Sequence, residues 1–149
     1  MPESTNIELL LDIHLIATLF MTGLIWFVQV VHYPLFAKVG ADGYMMYQDA
    51  HMTRTTWVVA PVMLLEAASA SAIVLLPGIN GKLLPLVGLM LLVVVWVSTA
   101  VLQVPCHQRL QRGFDDAAVR RLVASNWIRT MAWSARSLVA LSLARWSVT

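Results

Sequence analysis

The sequence predicts an all-α protein, an integral membrane bundle of four helices in up-down order. Three observations predict it. Of 149 residues, 59% are hydrophobic and only 12% are charged, about half the charged share usual in a soluble domain. Four apolar runs, about 13–31, 57–76, 83–104 and 122–143, each approach the roughly 20 residues that cross a bilayer. The breaks between them are short, which favours antiparallel neighbours in one domain.

The first run extends beyond its span, to about 7–36. Met1–Asp12 carries Glu3, Glu8 and Asp12 and no basic residue, so no signal-peptide n-region is expected. Gly40-Ala41-Asp42-Gly43 breaks the chain before the second helix. That helix starts near Ala41 and contains Pro61, where a kink is expected. Pro77-Gly78-Ile79-Asn80-Gly81 makes the next turn, and Gly113-Phe114-Asp115-Asp116 the last. Asp115 or Asp116 is placed to cap the fourth helix.

Charge and cysteine content narrow the class. A net charge of +2, with no basic cluster interleaved with aromatics, gives no sign of nucleic-acid binding. The single cysteine, Cys106, excludes an intrachain disulfide. Lys38, Arg54, Arg109, Arg112, Arg120 and Arg121 flank the first and third connections, against Lys82 and Arg145 on the opposite side. The positive-inside rule then puts both of those connections in the cytoplasm and both termini outside it. Trp26, Trp57, Trp127 and Trp146 lie near span ends, where interfacial aromatics gather.

At about 100° per residue, each helix has one polar line. On the first, His14 and His32 are 18 residues apart and share a line, with Thr18, Thr22 and Gln29 nearby. On the second the line is Tyr44, Tyr47, Gln48, His51, Thr55, Glu66 and Ser69, with Arg54 at its edge. On the third it is Trp96, Thr99, Gln103 and His107. On the fourth it is Asn126, Arg129, Thr130, Trp133, Arg136 and Ser137. These lines are expected to face one another, with the apolar remainder toward lipid. His32, His51 and Arg54 also have counterparts 75 residues on, at His107, Asn126 and Arg129. Two parallel helical-hairpin repeats would produce such a correspondence.

His32, His51 and His107 fall at one depth near the cytoplasmic ends. Either they hold a transition metal (Fe, Cu or Zn) or haem, because imidazole suits these metals, or they are interfacial histidines bonded to backbone and headgroups. Gln29, Gln103 and Asn126 are placed to orient ligands or substrate around them. Glu66, Arg129 and Arg136 lie within spans. Either Glu66 handles protons while Arg54, Arg129 and Arg136 bind an acidic group of a substrate or cofactor, or Glu66 and Arg136 pair and fix helix register.

With Asp12-Ile13-His14 opening the first helix, Tyr33-Pro34-Leu35-Phe36 closing it, Pro61-Val62-Met63-Leu64-Leu65 after an arginine in the second, and Asn126 starting the fourth apolar run, the chain resembles the small four-helix membrane protoporphyrinogen oxidases of bacteria. In its four-span layout it is equally similar to anthrone-oxygenase-like membrane proteins and to small four-span proteins of no known function. The first resemblance implies haem b on a helix-one histidine, here His14. It also implies a lysine further along, and no span of this chain contains one.

The expected function is that of a metal- or haem-binding membrane oxidoreductase. Its substrate is expected to be lipid-soluble or amphipathic, or a quinone, reached from the cytoplasmic leaflet. Homo-oligomers are compatible with this. The alternatives are a small-anion or proton-coupled transporter using an Arg/Glu pathway, and a non-enzymatic accessory subunit.

Overall fold

The computed structural model describes residues 2–76 and 81–146, with side chains over 5–76 and 81–145. The turn expected at 77–80 and the side chain of Trp146 lie outside the described residues. All regular structure among the described residues is helical and forms four rods. The first comprises α1 (Pro2–Phe27), a π turn (Val28–His32), α2 (Tyr33–Leu35) and a 3-10 turn (Phe36–Lys38). The second is α3 (Tyr44–Leu75). The third comprises α4 (Leu83–Ser98), a π turn (Thr99–Gln103) and α5 (Val104–Leu110). The fourth is α6 (Asp116–Trp146).

The two π turns have a common cause. A proline inside a helix lacks the N–H for its ladder bond, and its ring collides with the carbonyl four residues back. For Pro34 that carbonyl belongs to Val30, and for Pro105 to Val101. Both lie inside a π turn, whose wider winding makes room for the ring. Each turn also carries a buried glutamine, Gln29 or Gln103, toward the bundle axis. Pro61, by contrast, sits in α3 without interrupting it.

The ends are fastened locally. Gly43 takes φ +80°, a backbone angle that side chains disfavour, at the start of α3. Asp115 Oδ1 accepts from the Ala118 N–H at 2.9 Å, so it is Asp115 that caps α6. That N–H, reinforced by Arg109, holds the Asp115 carboxyl below its ordinary range. A depressed acid stabilises the fold above its ordinary value of 3.8. The contribution is lost as pH falls through the lowered one. At the other end Lys82 Nζ donates to the carbonyls of Val74 and Leu76, closing off α3.

The rods form a closed square. The first rod packs against α3 and α6, and α4 packs against the same two. Paired cross-links run in opposite senses along each sequential pair of rods and along the first and last: His14–Ser69 with His32–His51, Gln48–His107 with Val74–Lys82, Gln103–Ser125 with Gly88–Arg136, and Trp26–Ser134 with Gln29–Asn126, so these neighbours are antiparallel. Met21, Ile25, Met63, Val95, Ala132 and Trp133 form the middle of the core. Tyr33, Phe36, Tyr44, Leu110 and Leu122 close the end that carries the Gly40–Gly43 loop. Outward faces carry exposed Trp57, Leu64, Met90 and Leu138, the pattern of a bundle wetted by lipid.

Thr5–Lys38, Tyr44–Leu75 and Leu83–Leu110 are long and apolar enough to cross a membrane. α6 is long enough and differs from the apolar fourth span read from the sequence. Among the described residues only the other three meet the apolar criterion. The reason is the buried polar set it carries: Asn126, Arg129, Thr130, Arg136 and Ser137. Three apolar rods shield this polar side.

α4 packs tightly on α6 at Gly88, where an added Cβ would stand 3.1 Å from Val139 Cγ1. Gly23 has open space around it. Gly88→Val is therefore expected to destabilise by about 1–3 kcal/mol through overpacking. Gly23→Ala is expected to be neutral or to stabilise by up to about 1 kcal/mol. Thermal unfolding of both variants in one detergent checks the contrast.

Candidate functional site

The buried polar groups form two centres. The first lies at mid-bundle. Glu66 Oε1 accepts from Thr18 Oγ1 and from Arg136 Nε, both at 3.0 Å. Arg136 Nη2 lies 2.9 Å from the same oxygen, an ionic contact too bent to count as a hydrogen bond. Glu66 Oε2 accepts from Trp133 Nε1 at 3.0 Å, and Arg136 Nη1 donates to the Gly88 carbonyl. Both partners are fully buried. Three neighbours hold the Glu66 carboxylate in place, and its pairing with Arg136 is the contact that the structural reading expects.

His14 adjoins this centre. Ser69 Oγ donates to the Glu66 carbonyl, so its hydroxyl proton is spent. His14 Nδ1, at 2.9 Å, must then donate to Ser69, which leaves the lone pair on Nε2. A void of about 10 Å³ lies between His14, Gly88 and Arg136. It has room for one water molecule. It has no room for a macrocycle, so haem on His14 does not fit the interior as packed.

The second centre lies at the Gly40–Gly43 end. His32 Nε2 stands 2.9 Å from His51 Nδ1, which is also 3.1 Å from Thr55 Oγ1. The His51 and His107 rings are 5.3 Å apart, and the His32 and His51 rings 4.8 Å. Phe36 touches all three rings edge-on. His51 and His107 are buried, while His32 is half-buried. The sequence-derived trio does come together.

It does not form a ready metal seat. Among the described residues no group of three or more His, Cys, Asp or Glu is arranged to hold a metal ion. The hydrogen bonds explain why. Gln48 Nε2 donates to His107 Nδ1 at 2.8 Å, which places the ring proton on Nε2. That proton points to Tyr33 Oη at 3.0 Å. Both His107 nitrogens are thereby committed to protein partners. Only the His32–His51 pair keeps two nitrogens facing each other.

The remaining polar residues extend this layer toward the centre. Arg129 donates from Nη2 to Tyr33 Oη at 3.2 Å, from Nε to Asn126 Oδ1 at 2.9 Å and from Nη1 to Thr99 Oγ1 at 3.3 Å. Asn126 Nδ2 donates to Gln29 Oε1 at 2.8 Å, and Gln29 Nε2 to the Val123 carbonyl. Gln103 bridges Ser98 and Ser125. Gln29 and Asn126 thus orient Arg129, and Gln103 fastens the third rod to α6. Arg54, expected to grip an acid beside Arg129, is exposed and stands outside the cluster.

Tyr33 is the residue that sequence reading undervalued. Its side chain is buried and links His107 to Arg129, whereas in the sequence it stands out only as part of the Tyr33-Pro34-Leu35-Phe36 motif that closes the first helix. Pro34, next to it, carried the missing signal, since an in-helix proline foretells local rewinding. Two buried polar atoms at this end have no partner, Gln48 Oε1 and Tyr44 Oη.

The proposed 75-residue correspondence gains no structural support. His32 is half-buried and Arg54 exposed, while His107 and Arg129 are buried. The two π turns and their prolines are instead 71 residues apart. No protein-family model, curated protein or solved structure matches the chain. Its function must be read from its own residues.

If the mid-bundle pair is structural, Glu66→Gln is expected to cost about 3–5 kcal/mol, because it strands a buried guanidinium. The double variant Glu66→Leu/Arg136→Met is expected to recover most of that loss. Denaturation of Glu66→Leu, Arg136→Met and their double, as a cycle, measures the coupling. Additive losses would contradict it.

Proposed function

We propose that the chain is a small multi-pass membrane oxidoreductase with both termini outside the cytoplasm and α6 as its fourth span. Its acid–base centre is the layer of His32, His51, His107 and Tyr33. The observation that carries this reading is the connected pair of proton-bearing contacts, His32–His51 and His107–Tyr33, lying side by side. Imidazoles held in this way can take and return protons. Two-proton redox chemistry of a quinone, quinol or phenol needs such groups, with the two electrons of a quinol passing to dioxygen or to a second quinone as co-substrate.

Half-buried His32 is the member of the layer nearest solvent or headgroups. It supplies the exchange point for protons, with His51 behind it. Thr55 orients His51, Gln48 fixes the His107 tautomer, and Arg129 polarises Tyr33. The resemblance to anthrone-oxygenase-like membrane proteins agrees with the oxidoreductase class. The mid-bundle Glu66–Arg136 pair serves the scaffold in this reading, which disfavours an Arg/Glu transport path.

A second reading rests on the facing nitrogens of His32 and His51. A transition metal such as Fe, Cu or Zn, replacing the shared proton, would have two imidazole ligands there and would supply redox or Lewis-acid chemistry. Its remaining ligands would have to come from substrate, water or a released His107.

Turnover of a panel of quinols and phenols, followed by absorbance, tests the first reading. His51→Ala and His107→Ala are each expected to lose about 10²–10⁴-fold in rate, and Arg54→Ala to lose little. Equal rates in all variants would remove the histidine layer from the chemistry. For the second reading, metal analysis of protein purified without chelators is expected to find about one equivalent, lost in His32→Ala. A metal-free, active protein would sink the second reading alone.

A further inference from the structure

Arg129 is out of balance with its surroundings. It is only 8% exposed. Its oxygen partners, Asn126, Tyr33 and Thr99, are all neutral side chains. Among the described residues the ion pairs are Arg109–Asp115, Arg120–Asp116 and Arg136–Glu66, and none includes Arg129. Glu66, the one buried carboxylate among them, is already matched by Arg136. Imidazoles apart, the interior formed by the described residues therefore holds two guanidinium groups and one carboxylate, a surplus of one positive group. Leaving a charge buried without a counter-charge is strongly unfavourable.

Donor arithmetic locates what is missing. A guanidinium has five N–H groups. Four are spent, one on Nε, two on Nη2 and one on Nη1. The fifth, on Nη1, has no partner among the described residues. Tyr33 Oη receives the His107 Nε2 proton and one from Arg129, so its own hydroxyl proton also lacks an acceptor among these partners. Two unused donors thus remain on groups already in contact at 3.2 Å, beside an unmatched positive charge. Thr99, the partner of Nη1, is half-buried on the third rod's π turn and marks the route outward.

We infer that Arg129 and Tyr33 form an anion-recognition site, and that its ligand is a membrane-soluble amphiphile with one acidic head, carboxylate or phosphate. Arg129 supplies charge and one N–H, and Tyr33 supplies one O–H. Gln48 Oε1, the unpartnered acceptor on the far side of His107, adds a seat for a water or a ligand hydroxyl. The inference takes the histidine end as a binding site, in keeping with the proposed function, but does not depend on its catalysis. The same chemistry fits a free lipophilic acid or the headgroup of an anionic phospholipid.

Thermal unfolding in dodecyl maltoside separates these possibilities. Palmitate, hexadecanol, phosphatidylglycerol and phosphatidylcholine serve as probes. At about 100-fold over its Kd, an anionic probe is expected to raise the Tm by about 5–10 °C, while its neutral or zwitterionic counterpart does not. A shift with palmitate alone identifies a free acid, and one with phosphatidylglycerol alone identifies a headgroup. Arg129→Gln is expected to unfold no lower than wild type without probe, since it removes an unmatched charge, and to lose the anion-specific shift. Arg129→Lys keeps charge without the fork and is expected to retain a smaller shift. Arg54→Gln is expected to behave as wild type. Equal shifts with charged and uncharged probes, or a full anion-specific shift in Arg129→Gln, would overturn the inference. If Arg129→Gln does not fold, loss of the shift by more than half in Arg129→Lys supports it, and an unchanged shift refutes it. Anion-specific stabilisation in a protein without turnover on any quinol or phenol retains this site and removes the catalytic reading.

Discussion

The ion pair of Glu66 and Arg136 is the constraint around which the bundle closes. It involves every rod: Glu66 from α3, Arg136 and Trp133 from α6, Thr18 from α1 and the Gly88 carbonyl from α4. A buried pair of this kind contributes little net stability, because desolvation offsets the attraction. Its value lies in specification. A one-residue slip of any rod would leave a charge or a carbonyl unmatched in an apolar interior. Register fixed at this depth also fixes what lies a few turns away, including the alignment of His32 with His51 and of Tyr33 with His107.

The polarity of α6 follows from the same requirement. A helix that carries two arginines and an asparagine is poorly suited to face lipid, and the other three rods are apolar enough to relieve it of doing so. The division of labour is visible in the contacts. Thr18, Thr22 and Gln29 of the first rod, and Ser98, Thr99 and Gln103 of the third, all bond along the inner side of the bundle. In a bilayer such bonds add modest energy individually. Together they leave few orientations for α6, and one of those presents Arg129 to Tyr33.

Much of this was legible in the sequence. Helical arithmetic correctly turned His14, Thr18, Gln29, Gln48, His51, Glu66, Ser69, Asn126, Arg129, Thr130, Trp133 and Arg136 inward, and all are buried. The misses cluster around the π turns. An added residue in a π turn offsets the phase of everything beyond it by about 100°. His32, 18 residues from His14, was placed on the same line, yet the turn at Val28–His32 intervenes and His32 is half-exposed while Tyr33 points inward. Trp96 and His107 were placed on one line as well, but the turn at Thr99–Gln103 separates them. Trp96 is 40% exposed and His107 buried. Arg54 failed for another reason. It sat at the edge of its predicted stripe, where a small rotation of α3 decides between interior and surface.

These rewound segments also place the reactive groups. A regular helix through Pro34 would carry His32 and Tyr33 past the axis on a fixed 100° step. The π turn keeps Gln29 and Tyr33 both inside, one bonded through Asn126 to Arg129 and the other bonded to it directly. In the third rod the matching turn keeps Gln103 and His107 inside together. Residues four apart share a face in a regular α-helix as well; what the wider turn changes is the phase of everything beyond it, so that Tyr33 rather than His32 comes inward. The winding of the first and third rods thereby sets which polar groups line the interior. A substitution that restored regular winding, such as Pro34→Ala, would be expected to change the order of groups around Tyr33 before it changed the fold.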